Sequence, residues 1–192
     1  MRWSSASARE TRAIAKKILS RYCAFGPRPL ILALSGNLGS GKTVFAEGVA
    51  EALGVRVKVQ SPTFVLMKWY DLPRIRSEPK SRRARSRGLN QPSHGPRFLV
   101  HIDAYRIERA RDLARLGIRE MFRDRDAIIV IEWAEKIRSL IPKTAVWITF
   151  RHSGTAKRTI TVQNYRGSTH YEFQRITNMH RRIRNANTIR NS

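Results

Sequence analysis

The chain has 192 residues, enough for one globular domain with a sizeable core and appended segments, but short for two domains. Its 38 Lys and Arg against 14 Asp and Glu leave a formal net charge of +24, which favours polyanionic partners such as nucleic acid, or less strongly a membrane surface, and says nothing about fold. A single cysteine, Cys23, excludes an intrachain disulfide and suits a reducing compartment, and no apolar run reaches the roughly 18 residues that span a bilayer.

The opening stretch MRWSSASARETRAIAKKILSRY is rich in Ser and Arg, as organellar transit peptides are, yet it reads better as a capped helix. Ser7 with Glu10 three residues later makes a capping box, and Ile14, Ile18 and Tyr22 then recur on one face. No short apolar core with a small-residue cleavage site is present, so an unexported, cytoplasmic protein is expected. LILAL (30–34) follows as a buried strand, 42–53 as a helix closed by Gly54, and VRVKV (55–59) as a short strand. FLVHID (98–103) predicts another strand. Leu113, Leu116, Met121 and Phe122 sit at helical spacing within 108–122, and AIIVIEW (127–133) is the most strand-like run. AVWITF (145–150) and RTITV (158–162) alternate with period two and are expected as closing antiparallel strands.

Two segments fall outside this pattern. Residues 73–97 carry eight basic side chains against one acid, and residues 151–192 carry nine against one, so about +15 of the +24 lies outside the residues expected to form most of the sheet. Pro, Ser, Gly and Arg dominate the first, which cannot bury enough apolar area to offset its ordering entropy and is expected to be a disordered basic insertion. The stretch from 166 to 192 holds Tyr171, Phe173, Ile176 and Ile183 and is expected as a basic tail with room for a short helix.

Chemistry concentrates in SGNLGSGKT. Gly36, Gly41, Lys42 and Thr43 satisfy G-x-x-x-x-G-K-[ST], a match that ordinary composition produces in such a chain with odds of roughly one in a hundred or less. The match leaves a buried strand and opens a helix, where successive backbone N–H groups and the helix N-terminus converge on phosphate oxygens. Lys42 would neutralise the β and γ phosphates and the Thr43 hydroxyl would ligate Mg²⁺. Such a loop also needs a carboxylate at the end of a neighbouring strand, and Asp103 and Glu132 both end apolar strands. The expected fold class is therefore α/β: a single P-loop NTPase domain over 1–165, mainly a parallel sheet flanked by helices and closed by antiparallel strands, followed by the tail 166–192.

With SGNLGSGKT, SPTF (61–64), HIDAYRI (101–107), DLARLGIREMF (112–122) and IEWAEKI (131–137) in that order, the chain resembles the bacterial TsaE family, also called YjeE, over about residues 5–163. The resemblance implies a small ATPase, weak alone and stimulated by partners. It would support threonylcarbamoylation of the adenosine beside the anticodon in ANN-decoding tRNAs while TsaB-like and TsaD-like proteins carry the transfer. It implies ATP and Mg²⁺ as cofactors and phosphate binding by Leu38, Gly39, Ser40, Gly41, Lys42 and Thr43. It further implies metal ligation by Thr43 and Glu132, Asp103 near the γ-phosphate as an acid that orients water or supports the metal, and a nucleotide-sensing loop at Ser61 to Thr63. Trp133 adjoins Glu132 either as part of the site or as a packing aromatic at the sheet edge. Arg106 and Arg158 are arginines to test near the nucleotide, with surface salt bridges the simpler role.

The basic insertion and tail depart from the family pattern. They leave open whether tRNA is met only through the partners or also directly, by a salt-sensitive contact of 73–97 and the tail with its phosphates. Two other classes fit parts of the sequence. A nucleotide or metabolite kinase would need a lid that 73–97 is too polar to form, and a non-catalytic basic RNA-binding protein would leave the two strand-end acids unexplained.

Overall fold

The computed structural model describes residues 1–22, 29–55, 66–73, 95–154 and 157–163. The elements are β1 (Arg2–Ser5), α1 (Ala8–Tyr22), β2 (Leu30–Gly36), α2 (Lys42–Ala52), β3 (Met67–Asp71), β4 (Phe98–Asp103), α3 (Ala110–Arg115), α4 (Ile118–Met121), β5 (Ala127–Glu132), a 3-10 turn (Ala134–Ile137), β6 (Val146–His152) and β7 (Arg158–Gln163). The seven strands form one sheet in the order β1-β7-β6-β2-β5-β4-β3. Its centre, β4-β5-β2-β6, is parallel, and β3, β7 and β1 join antiparallel at the flanks.

Alternation along the central strands divides the core between the two faces. Leu32 and Leu34 of β2 and Ile128 and Val130 of β5 pack with Ile14, Ile18, Phe45 and Val49 of α1 and α2. Ile31 and Ala33, with Ile129 and Ile131, pack instead with Leu113, Ile118 and Ile137 of α3, α4 and the 3-10 turn. Burial on both faces explains why these strands read as continuous apolar runs and not as alternating ones.

The capping box at the start of α1 forms as expected in kind. Glu10 N–H donates to Ser7 Oγ at 3.1 Å, while the Glu10 carboxylate accepts from the Ala6 amide at 2.7 Å, one residue before the Ser7 amide. Three expectations change. The helix over 108–122 is two short ones, because Gly117 takes φ +76 between α3 and α4 and Leu116, 60% exposed, faces outward. AVWITF pairs antiparallel with RTITV as expected, but on its other side β6 lies parallel to β2, because residues 133–145 cross over β2 and return the chain to the edge where β2 and β5 start. The N-terminal residues before the helix, unassigned from sequence, pair with β7 as β1, and the Met1 carbonyl accepts from Val162 N–H at 2.8 Å. VRVKV beyond Val55, Cys23, SPTF, 74–94 of the basic insertion and the tail from 164 lie outside the described residues.

Helices α1 and α2 approach closely at Gly48, where a Cβ would lie 2.7 Å from Arg12 Cα and 2.9 Å from Ala15 Cβ. Arg12 bridges to Glu47 at 2.6 Å beside this contact, and Lys16 to Glu51 at 2.9 Å, both partly exposed pairs of small worth. Gly48→Ala gains up to about 1 kcal/mol of helix propensity but must displace α1 backbone. The expected net result is a loss of about 1–3 kcal/mol, seen as a lower urea midpoint at unchanged m-value.

Candidate functional site

The carboxyl ends of β2, β4 and β5 meet at one edge of the sheet. Register pairs Leu34 with Glu132 and Asp103 with Glu132, so the loop after β2 and the two strand-end acids are neighbours. At Gly36, φ is +141 and a Cβ would lie 2.4 Å from the Phe150 carbonyl oxygen of β6, so only glycine lets the chain leave the sheet here. The loop then enters α2 through Gly41, its N-cap, in the left-handed conformation at φ 98 and ψ 19. No side chain caps this helix and no acid lies in its first turn, so its leading N–H groups are left to an external acceptor. Ser40, fully buried, has no hydrogen-bond partner for its Oγ among the described residues.

Lys42 is buried and held by neutral groups. Its Nζ donates to the carbonyls of Gly36 at 2.7 Å and Asn37 at 2.9 Å and lies 3.7 Å from the centre of the Trp133 ring. Burial lowers its pKa from 10.5, opposed by the charges of Glu132, Glu135 and Asp103. Trp133 is thus more than a packing aromatic: it takes a left-handed φ of 56, uncommon for a bulky residue, and meets Tyr105 with ring centres 5.0 Å apart and planes tilted by 48° while covering the lysine.

Thr43 and Glu132 are in direct contact. Thr43 Oγ1 donates to Glu132 Oε2 at 2.7 Å, and the other carboxylate oxygen, Oε1, lies 2.9 Å from His101 Nε2. An ionised carboxylate only accepts, so Nε2 carries the ring proton, and the buried Nδ1 has no partner among the described residues. Asp103, also buried, accepts the Tyr105 amide at 2.9 Å and points its strand end at the same site. Leu38 is exposed at the loop tip, with its carbonyl 3.5 Å from His152 Nε2.

The fit to a phosphate with its metal can be judged from these groups. An uncapped helix N-terminus, an orphaned serine hydroxyl and a lysine form the anion side. A threonine hydroxyl touching a carboxylate supplies hard oxygen donors of the kind Mg²⁺ takes. The donor set therefore fits. Among the described residues no cluster of three or more His, Cys, Asp or Glu could hold a metal ion.

Of the residues expected from sequence, Leu38 to Thr43, Asp103 and Glu132 lie together at this edge. Arg106 is exposed on the turn after β4. Arg158 forms no salt bridge among the described residues. His101 had no role from sequence, although a histidine two residues before Asp103 in an otherwise apolar strand must share its face.

A parallel-centred sheet with a glycine loop opening a helix beside strand-end acids defines an α/β domain of P-loop-like fold. A family model described as threonylcarbamoyl adenosine biosynthesis protein TsaE matches residues 5–160. The chain belongs to the TsaE family. It is 32% identical over 161 residues to the tRNA threonylcarbamoyladenosine biosynthesis protein TsaE of Bacillus subtilis, covering 84% of each chain. A protein of the same description from Treponema pallidum is 31% identical over 132 residues, 69% of this chain and 80% of that one. The crystal structure of Bacillus subtilis YdiB superposes with a TM-score of 0.58 at 26% identity, covering 95% of this chain and 94% of that one. No helix among the described residues is long and apolar enough to cross a membrane.

Because burial lowers the pKa of Lys42, the unfolded chain holds that proton to higher pH than the folded one. Stability should therefore rise with pH above the depressed value and towards 10.5. The difference in unfolding free energy between wild type and Lys42→Met, followed by urea denaturation across alkaline pH, should move in favour of wild type; a flat difference would contradict the shift.

Proposed function

We propose that this chain is a Mg²⁺-dependent ATPase that supports threonylcarbamoylation of the adenosine beside the anticodon in ANN-decoding tRNAs. It acts with TsaB-like and TsaD-like proteins, which carry the transfer, and does not modify tRNA itself. The observation that carries the reading is the 2.7 Å contact of Thr43 Oγ1 with Glu132 Oε2 at the open N-terminus of α2. Family membership supports the tRNA-modification part.

In this reading Leu38, Gly39, Ser40, Gly41, Lys42 and Thr43 bind the phosphates, and Thr43 and Glu132 hold Mg²⁺. Lys42 is held by carbonyls and a ring face, so an anionic oxygen is a stronger partner than any it has. His101 fixes the Glu132 carboxylate through Oε1 and leaves Oε2 turned to Thr43. Asp103, whose carboxylate accepts the Tyr105 amide, orients the attacking water in this reading. Mg²⁺, when bound, would supply charge neutralisation at the phosphates, and the protein supplies positioning. No arginine finger is evident from sequence, so turnover alone is slow and partners raise it.

ATP hydrolysis by wild type and Lys42→Ala, with and without TsaB-like and TsaD-like proteins and tRNA, tests this reading. Lys42→Ala should lower turnover by at least about a hundredfold, the cost of removing one preorganised charge-stabilising group. Equal rates would sink the ATPase, and transfer of phosphate to a metabolite instead of water would make it a kinase. His101→Leu should raise the Mg²⁺ concentration for half-maximal nucleotide binding by about 10-fold or more, with the fold retained by circular dichroism. An unchanged Mg²⁺ requirement would remove His101 from the metal site.

A further inference from the structure

We propose that Arg158 is the second cation of the phosphate-binding loop, a positioning residue that braces Gly41 from outside the loop and adds its charge to that of Lys42 on a bound nucleotide. The inference rests on the nucleotide-binding reading above and extends it to a residue on a different part of the sheet.

Strand β7 runs antiparallel to β6, so its first residue, Arg158, lies beside His152 at the edge where β2 reaches Gly36 and the loop begins. Arg158 shares its strand face with Ile160 and Val162, which pack on the α1 and α2 side of the sheet. From there its guanidinium reaches the loop: a Cβ on Gly41 would lie 2.8 Å from Nη1 and 3.4 Å from Cδ. The left-handed N-cap of α2 is thus backed directly by a cation, and a side chain on Gly41 would collide with it.

The structure gives this cation little else to do. Its Nε is buried with no hydrogen-bond partner, and its one hydrogen bond among the described residues is a long contact, 3.5 Å, from Nη1 to Thr11 Oγ1. Thr11 does not need it, since its hydroxyl already donates to Ser7 O at 3.1 Å and pairs with Ser5 Oγ at 2.8 Å. No carboxylate lies within the 4.0 Å of a salt bridge among the described residues. A half-buried guanidinium without an acid bears a desolvation cost that an apolar residue of similar length would avoid. Ser40, immediately before Gly41, carries the other orphaned group of the loop. Two unsatisfied polar side chains thus bracket the same turn, and an anion in the loop would offset the cost of both. A charge placed behind the loop and partly out of water is only weakly screened, so it acts on phosphate without touching it.

Nucleotide-binding titrations on the full chain test this, with wild type, Arg158→Met and Arg158→Lys at low and high salt, and with melting temperatures measured without nucleotide. Arg158→Met should weaken ATP binding by about tenfold, the scale of one charge removed from a partly screened site. ADP, with one phosphate fewer, should lose less, and the ATP loss should persist at high salt because a partly buried charge is screened little. Arg158→Lys keeps the charge and should stay within about threefold of wild type, which also carries the test if Arg158→Met does not fold. ATP affinity unchanged in Arg158→Met, with or without a lower melting temperature, would make Arg158 a strut of the hairpin and overturn the proposal. An Arg158→Lys loss as large as tenfold would overturn the charge argument. Absence of ATP binding by wild type is a different result, and it would overturn the nucleotide reading itself along with this one.

Discussion

Parallel pairing of β5 between β2 and β4 is the constraint on which the rest of the molecule depends. Its register sets Glu132 beside Leu34 on one side and Asp103 on the other. A slip of one residue would turn Glu132 to the opposite face, away from Thr43, and carry Ile128 and Val130 out of the α1 and α2 core. The same apolar side chains that hold the sheet together therefore aim the carboxylates. Stability and site geometry here have one cause.

That arrangement brings several polar groups out of water at once. Lys42, His101, Asp103 and Glu132 are all buried, and most of their polar atoms are spent on one another or on backbone. Hydrogen bonds of this kind hold each group in one orientation without any ligand, which spares the site reorganisation. The groups left unsatisfied among the described residues, Ser40 Oγ and Arg158 Nε, cluster at Gly41, and His101 Nδ1 lies behind Glu132. Unsatisfied polar atoms are rare in a native core, so their gathering around a single turn and its neighbouring acid marks where the fold gives up stability.

Local signals carried much of the architecture. The capping box, the apolar strands and the glycine loop each rest on contacts within a few residues, and they form where the pattern places them. Signals that depend on distant partners were weaker. Leu116 matched the helical period but lies outside because Gly117 bends the chain between α3 and α4, and period alone does not register a left-handed residue. AVWITF has the alternation of an antiparallel strand, yet its direction is set by the crossover before it. The first strand, RWSS, has no apolar run and exists because β7 offers it an edge.

The amino-acid sequence by itself determined the glycine-rich loop, the two strand-end acids and their order, because glycine placement and apolar runs are local physics that no partner segment needs to supply. It also carried enough ordered motifs to point to the family. Tertiary structure alone decided that His101 holds the second oxygen of Glu132, that Trp133 covers Lys42, and that Arg158 backs Gly41. Each of these joins residues from different strands, and their distances depend on sheet register and on which edge a strand starts from. Those quantities are set by packing of the whole core, and no window of sequence contains them.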